Sequence, residues 1–353
     1  MINFTVGPVQ SSDIVRTIGS KQIPYFRTTE FSEVMLENEK RVLKLANAPE
    51  GARAVFMTAS GTGSMEATVV NVLTRKDKVL IINGGSFGQR FVQLLQMHQI
   101  PHTEVIPPFG DTVTEEQLFV FENCGYTALL VNIHETSTGV LYDAEMLGRF
   151  CKRNGMLFIV DAISSFLADP FDIKTLCADV MIAGSQKALA CPPGVSIIIL
   201  SQRAICRVNS NNPNCMYLNL KTALENQARG QTPFTPAVGI LLQIHERLKE
   251  IEKAGGADYE INKAAMLAQY FRRRITGLPL KIFSSRLSNA VTPLHPLTIS
   301  AYTIFEKLKN EYGIWICPNG GELRDKVMRV GHIGELSTED YDILISALEN
   351  ILS

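Results

Sequence analysis

"MIAGSQKALACPPG", residues 181–194, decides how this chain is read. An apolar run ending at Ala183 delivers one lysine, Lys187, into a Gly/Ser/Gln turn, and Cys191-Pro192-Pro193-Gly194 then stops it. A lysine leaving a buried strand ordinarily carries its ammonium out to water. Here "GSQK" and "CPPG" pin the backbone on both sides and leave the ammonium little freedom to escape. Desolvation disfavours the charged form, and a neutral amine can attack an aldehyde carbon.

Apolar runs of the same kind recur outward from this stretch: "RAVFMT" (53–58), "KVLIIN" (78–83), "TALLVNI" (127–133), "MLFIVDA" (156–162), "DVMIAG" (179–184) and "VSIIIL" (195–200). Continuous runs of this length suit strands buried on both faces, and segments 63–74, 87–99 and 143–154 suit the crossover helices between them. The fold class is therefore α/β with a mainly parallel, mixed sheet. Only ten residues separate 179–184 from 195–200, so a hairpin-like antiparallel strand is expected there. After about residue 235 the pattern changes to long helices, "PAVGILLQIHERLKEIEKAGG" and "DYEINKAAMLAQYFRRRI", followed by short strands and a closing helix at 337–352.

Bulk properties narrow the function. The 353 residues carry 34 Lys+Arg against 35 Asp+Glu, dispersed rather than gathered into a basic stripe, so no nucleic-acid partner is expected. No apolar stretch approaches the roughly 20 residues needed to cross a bilayer, and "MINFTVGPVQ" lacks a basic segment leading into an apolar one; a soluble, cytoplasmic protein without a membrane partner is expected. The seven cysteines are scattered and never form a CxxC pair, so neither a disulfide framework nor a metal site is expected.

Ligands of open parallel sheets collect at the carboxyl ends of the strands. The run 53–58 leads into "TASGTGSMEA", where Ser60, Gly61, Thr62 and Gly63 make a small-residue turn opening a helix, a seat for a phosphate or simply an ordinary cap. The run 156–162 hands over Asp161 directly after "LFIV"; at that depth a carboxylate must find a cation or strong donors, or cap the following "AISSF". A phosphate nest, a carboxylate for a protonated ring nitrogen and a lysine for an aldehyde together match the requirements of pyridoxal 5'-phosphate.

The chain resembles the class V aminotransferases, a family of fold-type-I pyridoxal-phosphate enzymes that includes alanine/serine:glyoxylate (or pyruvate) and 2-aminoethylphosphonate:pyruvate transaminases. The resemblance runs nearly end to end, through "TVGPV", "TASGTGSMEA", "NGGSFGQR", "HETSTGV", "VDAISS", "GSQKALACPPG" and "KVMRVGHIGEL" in the family's order. It implies Lys187 as the Schiff-base lysine and Asp161 as the partner of the pyridine nitrogen. Phe87 takes the place of the aromatic that stacks on the ring, where relatives carry Trp or Tyr. Ser60, Gly61, Thr62 and the Gln186 side chain are implied at the phosphate, and Thr136 at the 3'-oxygen side. His134 is expected to make a structural hydrogen bond. Arg329, between apolar residues in "VMRVG", is the planar donor for a substrate carboxylate, its alternative being a surface pair with Asp325 or Glu335; Gly7 lies near the substrate. Thr235, in "RGQTPFTPAV", is implied at the phosphate of a second subunit, hence a homodimer with shared sites, Thr232 or Gln231 standing where some relatives carry tyrosine.

The implied organisation is an N-terminal segment, 1–20, contributing to the active site, a large cofactor-binding domain, 21–235, and a small C-terminal domain, 236–353, with an interdomain helix. The implied reaction moves an amino group from an amino acid of the alanine or serine type to a 2-oxo acid such as glyoxylate or pyruvate by a ping-pong cycle. Three alternatives stay open: 2-aminoethylphosphonate as donor, a cysteine desulfurase-like lyase using Cys317, and a non-catalytic binding module of the same fold. Cys317, after an apolar run and before Pro318, reads as a buried thiol rather than a mobile one.

Overall fold

Uninterrupted apolar runs pack best where both faces of a sheet are covered. The computed structural model, which describes residues 1–353, places them in such a sheet. Strands β1 (Arg53–Met57), β2 (Val79–Ile82), β3 (His102–Val105), β4 (Ala128–Asn132), β5 (Leu157–Asp161), β6 (Val180–Gly184) and β7 (Ser196–Leu200) lie in the order β1-β7-β6-β5-β4-β2-β3. The pairs β2/β3, β2/β4, β4/β5 and β5/β6 are parallel, whereas β7 runs antiparallel to both β6 and β1. Fold class and antiparallel strand are as the sequence predicts, and six of the seven strands lie within a residue of the apolar runs. The seventh, β3, has no such run. Its "HTEV" is half-polar because it is the sheet's edge, partly exposed at three of its four residues.

Side-chain alternation divides the sheet's residues between two cores. On β4, Leu129 and Val131 enter one, Ala128 and Leu130 the other. Helices α1 (Thr29–Leu45) and α4 (Ala144–Arg153) cover the first face; α2 (Gly61–Val72) and α3 (Ser86–Met97) cover the second. The strand–helix turns at Ser60 and Gly85 therefore open at the sheet's carboxyl edge.

Helices α5 (Val238–Ala254) and α6 (Ala257–Arg274) lead to an antiparallel sheet of β8 (Leu280–Ile282), β9 (Val291–Pro296) and β10 (Met328–Gly331), in that order. With α7 (Ala301–Tyr312) and α8 (Thr338–Leu352) this sheet encloses a third core, which also takes Phe4. The start of the chain is tied there by its backbone: Phe4 N donates to Trp315 O at 2.7 Å, and Gly331 N to Phe4 O at 2.7 Å. That docking carries Gly7 toward the edge of the large sheet.

Asp169, 3% exposed, joins the two sheet regions. It accepts from Ser288 Oγ at 2.5 Å and from Asn289 N at 2.7 Å. Removing it strands the buried Ser288 hydroxyl and the half-buried Asn289 N–H, which costs about 2 kcal/mol. Asp169→Ala is expected to lower the unfolding free energy by that amount in a urea titration, with the denaturant slope unchanged.

Candidate active site

The turn after β6 is closed by its own hydrogen bonds. Ser185 N donates to Val195 O at 2.9 Å, Cys191 N to Ser185 O at 2.9 Å, and Ser185 Oγ to Pro192 O at 2.6 Å. Lys187 projects from this closed loop and is half-buried. Gly7 lies against it: a side chain there would begin 2.7 Å from the lysine Cδ and 3.0 Å from Nζ, and its φ of +136° is one that glycine adopts freely. Burial pushes the Lys187 amine below its usual range; the Cys317 thiol opposes that shift, Arg329 reinforces it and Asp161 opposes it.

Asp161 ends the neighbouring strand, with Asn132 opposite it in register. Asn132 Nδ2 donates to one carboxylate oxygen, and Ile163 N to the other at 2.8 Å. The second bond is the cap of "AISSF" that the sequence offered as an alternative, so Asp161 serves both its own chain and the edge of the sheet. It is 5% exposed, and burial pushes its carboxyl up to about 6. Asn132 Oδ1 beside it is buried without a partner. Thr136 Oγ1 lies 2.7 Å from Ser164 Oγ, which lies 3.0 Å from His134 Nδ1. Burial lowers His134 to about 3, so this ring is neutral, and its Nε2 is unpartnered.

Two helix starts face this edge, and they differ. At α3, the Glu135 carboxylate accepts from Phe87 N at 3.2 Å and Gly88 N at 2.9 Å, while Ser137 Oγ accepts from Ser86 N at 3.1 Å. That positive end is closed. At α2 the cap residue Ser60 makes no side-chain cap bond and is exposed. Gly61 packs on Ile163, which leaves no room for a side chain. Thr62 Oγ1 accepts from Arg90 Nη1 at 2.8 Å, and the Arg90 guanidinium lies 4.9 Å from the Phe87 ring centre. The open amides of α2, with a guanidinium alongside, make it the anion-ready end. Gln186 lies beside Gly184, its Oε1 2.8 Å from where a side chain would start.

Arg329 is on β10, 9% exposed. It pairs with neither Asp325 nor Glu335; Glu335 is held by Lys263. Its Nη1 donates to Thr136 O at 2.9 Å and its Nη2 to Pro318 O at 2.6 Å, leaving Nε without a partner. It lines a cavity of about 980 Å³ shared with Phe87 and Ser137. Thr235 is exposed and lines two other hollows, away from Lys187 and Arg329 within the chain. Thr232 Oγ1 is bound to Phe234 O, and Gln231 to Phe26 O and Ser32 Oγ. Cys317 is half-exposed rather than buried. Its backbone is nonetheless fixed, exchanging two 2.9 Å hydrogen bonds with Arg329.

Sequence reasoning passed over Arg90, Glu135 as a helix cap, and Asn132. Arg90 follows Phe87 by three residues on one helix, the spacing that puts two side chains on one face, so the signal was present in "SFGQR". Glu135 and Asn132 act on residues distant in sequence and leave no local pattern.

The model of the family described as aminotransferase class-V matches residues 20–314. Among solved structures, the chain is similar to an aspartate aminotransferase of subgroup IV from Thermus thermophilus (27% identity, TM-score 0.92, 100% of both chains). It is similar also to an alanine–glyoxylate aminotransferase from Nostoc sp. (25% identity, TM-score 0.93, 100% of this chain and 95% of that one). A 2-aminoethylphosphonate–pyruvate transaminase from Vibrio vulnificus is 27% identical over 99% of this chain and 97% of its own. The fold is that of the fold-type-I pyridoxal-phosphate aminotransferases. The chain belongs to the class V aminotransferase family, whose members depend on pyridoxal 5'-phosphate, and is a transaminase.

The Asp161 carboxyl holds its proton more tightly in the native chain than in the unfolded one. Between about pH 4 and pH 6 the unfolded chain therefore binds fewer protons, and this group's contribution to stability falls as pH rises. In the cofactor-free protein, Asp161→Asn is expected to be at least as stable as the parent at pH 7, the difference narrowing toward pH 4. Denaturant titrations across that range check it.

Proposed function

We propose that this transaminase takes its amino group from a small α-amino acid of the alanine or serine type and passes it to a 2-oxo acid such as glyoxylate or pyruvate. In this reading pyridoxal 5'-phosphate is held at Lys187. The observation that carries it is Arg329: a buried guanidinium with an unpartnered edge, on the wall of a cavity that also reaches Phe87. A fixed planar cation of this kind suits a carboxylate, and arginine keeps its charge when buried.

The residues present fit the cofactor. Gly7 leaves room for the Lys187 stem, Ser60 at the α2 start is free of capping duty, and Asp161 is a buried carboxylate without a cation. The bound cofactor would supply an electron sink for the substrate's α-carbon. Ser60, Gly61 and Thr62 would hold its phosphate with open amides and hydroxyls, Gln186 adding a neutral donor and Arg90 steadying Thr62. Asp161 would keep a proton on the ring nitrogen, since a buried carboxylate gains most from an adjacent cation. Phe87 would bound one face of the ring, and Thr136 would offer its hydroxyl to the 3'-oxygen. Lys187, its amine biased toward neutrality, would take the α-proton and return it. Arg329 would orient the substrate through its carboxylate, and Gly7 would offer backbone groups beside it. Thr235 is assigned to the phosphate of a second copy, making the enzyme a homodimer.

Against the desulfurase alternative stands the backbone pairing of Cys317, which denies its thiol the mobile loop such chemistry uses. Alanine is expected to bleach the colour of the cofactor-loaded protein with release of pyruvate, and borohydride to label residue 187 in tryptic digests. Lys187→Ala should slow proton transfer about 10²- to 10⁴-fold. Arg329→Ala should raise KM for α-carboxylate substrates about tenfold or more, with the cofactor's absorbance unchanged. Unlabelled Lys187, or an unaltered KM, would overturn the assignments.

A further inference from the structure

The cavity before Arg329, about 980 Å³, lies at the upper end of small-molecule sites, which span about 300–1,000 Å³. The cofactor ring against Phe87 would take part of it, and the remainder runs out to Glu104, Ile106, Phe109 and Glu322. Its charges are unevenly distributed. Arg329 is the only cation in the lining, while Glu104 and Glu322 contribute carboxylates and Asn83, Gln89 and Asn319 contribute amides.

We propose that this cavity extends the donor range beyond alanine and serine to an α-amino acid whose side chain is an aliphatic stem ending in a cation, an α,ω-diamino acid, and that Glu104 is the specificity-determining residue reading the distal charge. The inference rests on Arg329 seating the α-carboxylate. With that cation occupied, a distal carboxylate on the substrate meets two carboxylates and no counter-charge. A distal ammonium meets the opposite. Glu104 stands one residue before the end of β3 and is held in place, its Oε2 accepting from Asn83 Nδ2 at 2.7 Å. Asn83 is itself fixed by a 3.0 Å bond to Gln89 Oε1. A carboxylate so braced, with no lysine or arginine paired to it, keeps lone pairs for an incoming donor. Ile106 and Phe109, 68% and 60% exposed, give the same cavity an apolar rim for the stem. Glu322, exposed on the short turn Gly321–Leu323, adds negative potential at the mouth.

The test uses the cofactor-loaded protein and single-turnover bleaching with separate donors: alanine, norvaline, ornithine, 2,4-diaminobutyrate, aspartate and 2-aminoethylphosphonate. Ornithine or 2,4-diaminobutyrate is expected to half-saturate the reaction at about tenfold lower concentration than norvaline, which has ornithine's stem without the charge. Aspartate is expected to be poorer than alanine. Glu104→Gln, which keeps an oxygen for Asn83, should cut the preference for ornithine over norvaline about tenfold; Glu322→Gln, on the exposed turn, should reduce it less. Equal use of ornithine and norvaline, or preference for aspartate, overturns the inference while leaving transamination intact; preference for 2-aminoethylphosphonate, which has no carboxylate, overturns the seating at Arg329 on which it rests. No bleaching by any donor overturns the underlying function as well.

Discussion

One confinement organises this molecule: the Lys187 amine is pressed between a self-closed turn and the backbone at Gly7, one strand away from the Asp161 carboxylate. The turn closes because β7 folds back antiparallel on β6, so ten residues must bridge two adjacent strand ends. Ser185 makes this possible by binding both sides of the loop, through N to Val195 and through Oγ to Pro192. The other side of the confinement comes from far away in sequence, since Gly7 is held in place by the pairing of Phe4 with Gly331 and Trp315. The site thus depends on two sheets and on the first residues of the chain together.

Burial moves the two central groups toward each other on the pH scale. Asp161 rises to about 6 and the Lys187 amine falls below its usual range, both through burial. Arg329 sharpens this by repelling a proton from Lys187 while remaining charged itself. Nearby, Asn132 Oδ1, His134 Nε2 and Arg329 Nε are all buried without partners. A folded chain tolerates few such groups, because each lost hydrogen bond costs stability. These three, of ten such atoms in the chain, lie among the residues of the candidate site.

Much of the fold was legible because strands buried on both faces leave uninterrupted apolar runs, and a strand that hands over Asp161 or Lys187 announces it locally. The edge strand β3 was not legible, since "HTEV" has only one face to bury and reads as a loop between prolines. At the site, residues defined by their own strand end were visible in advance. Residues defined by a distant neighbour were not: Glu135 caps a helix 47 positions away, and Arg90 reaches Thr62 across 28. Cys317 was misread for the same reason, because Ile314 and Ile316 of its run are buried and the half-exposed thiol depends on how β10 passes beside it.

The cap at Glu135 has a directional consequence. Of two parallel helices whose electropositive poles point at the same edge, one is neutralised from within the chain and the other is left bare. On the proposed placement of the cofactor, a molecule bearing a phosphate at one end and a carbonyl at the other would therefore meet one open pole rather than two, and head would be told from tail before any covalent bond is made.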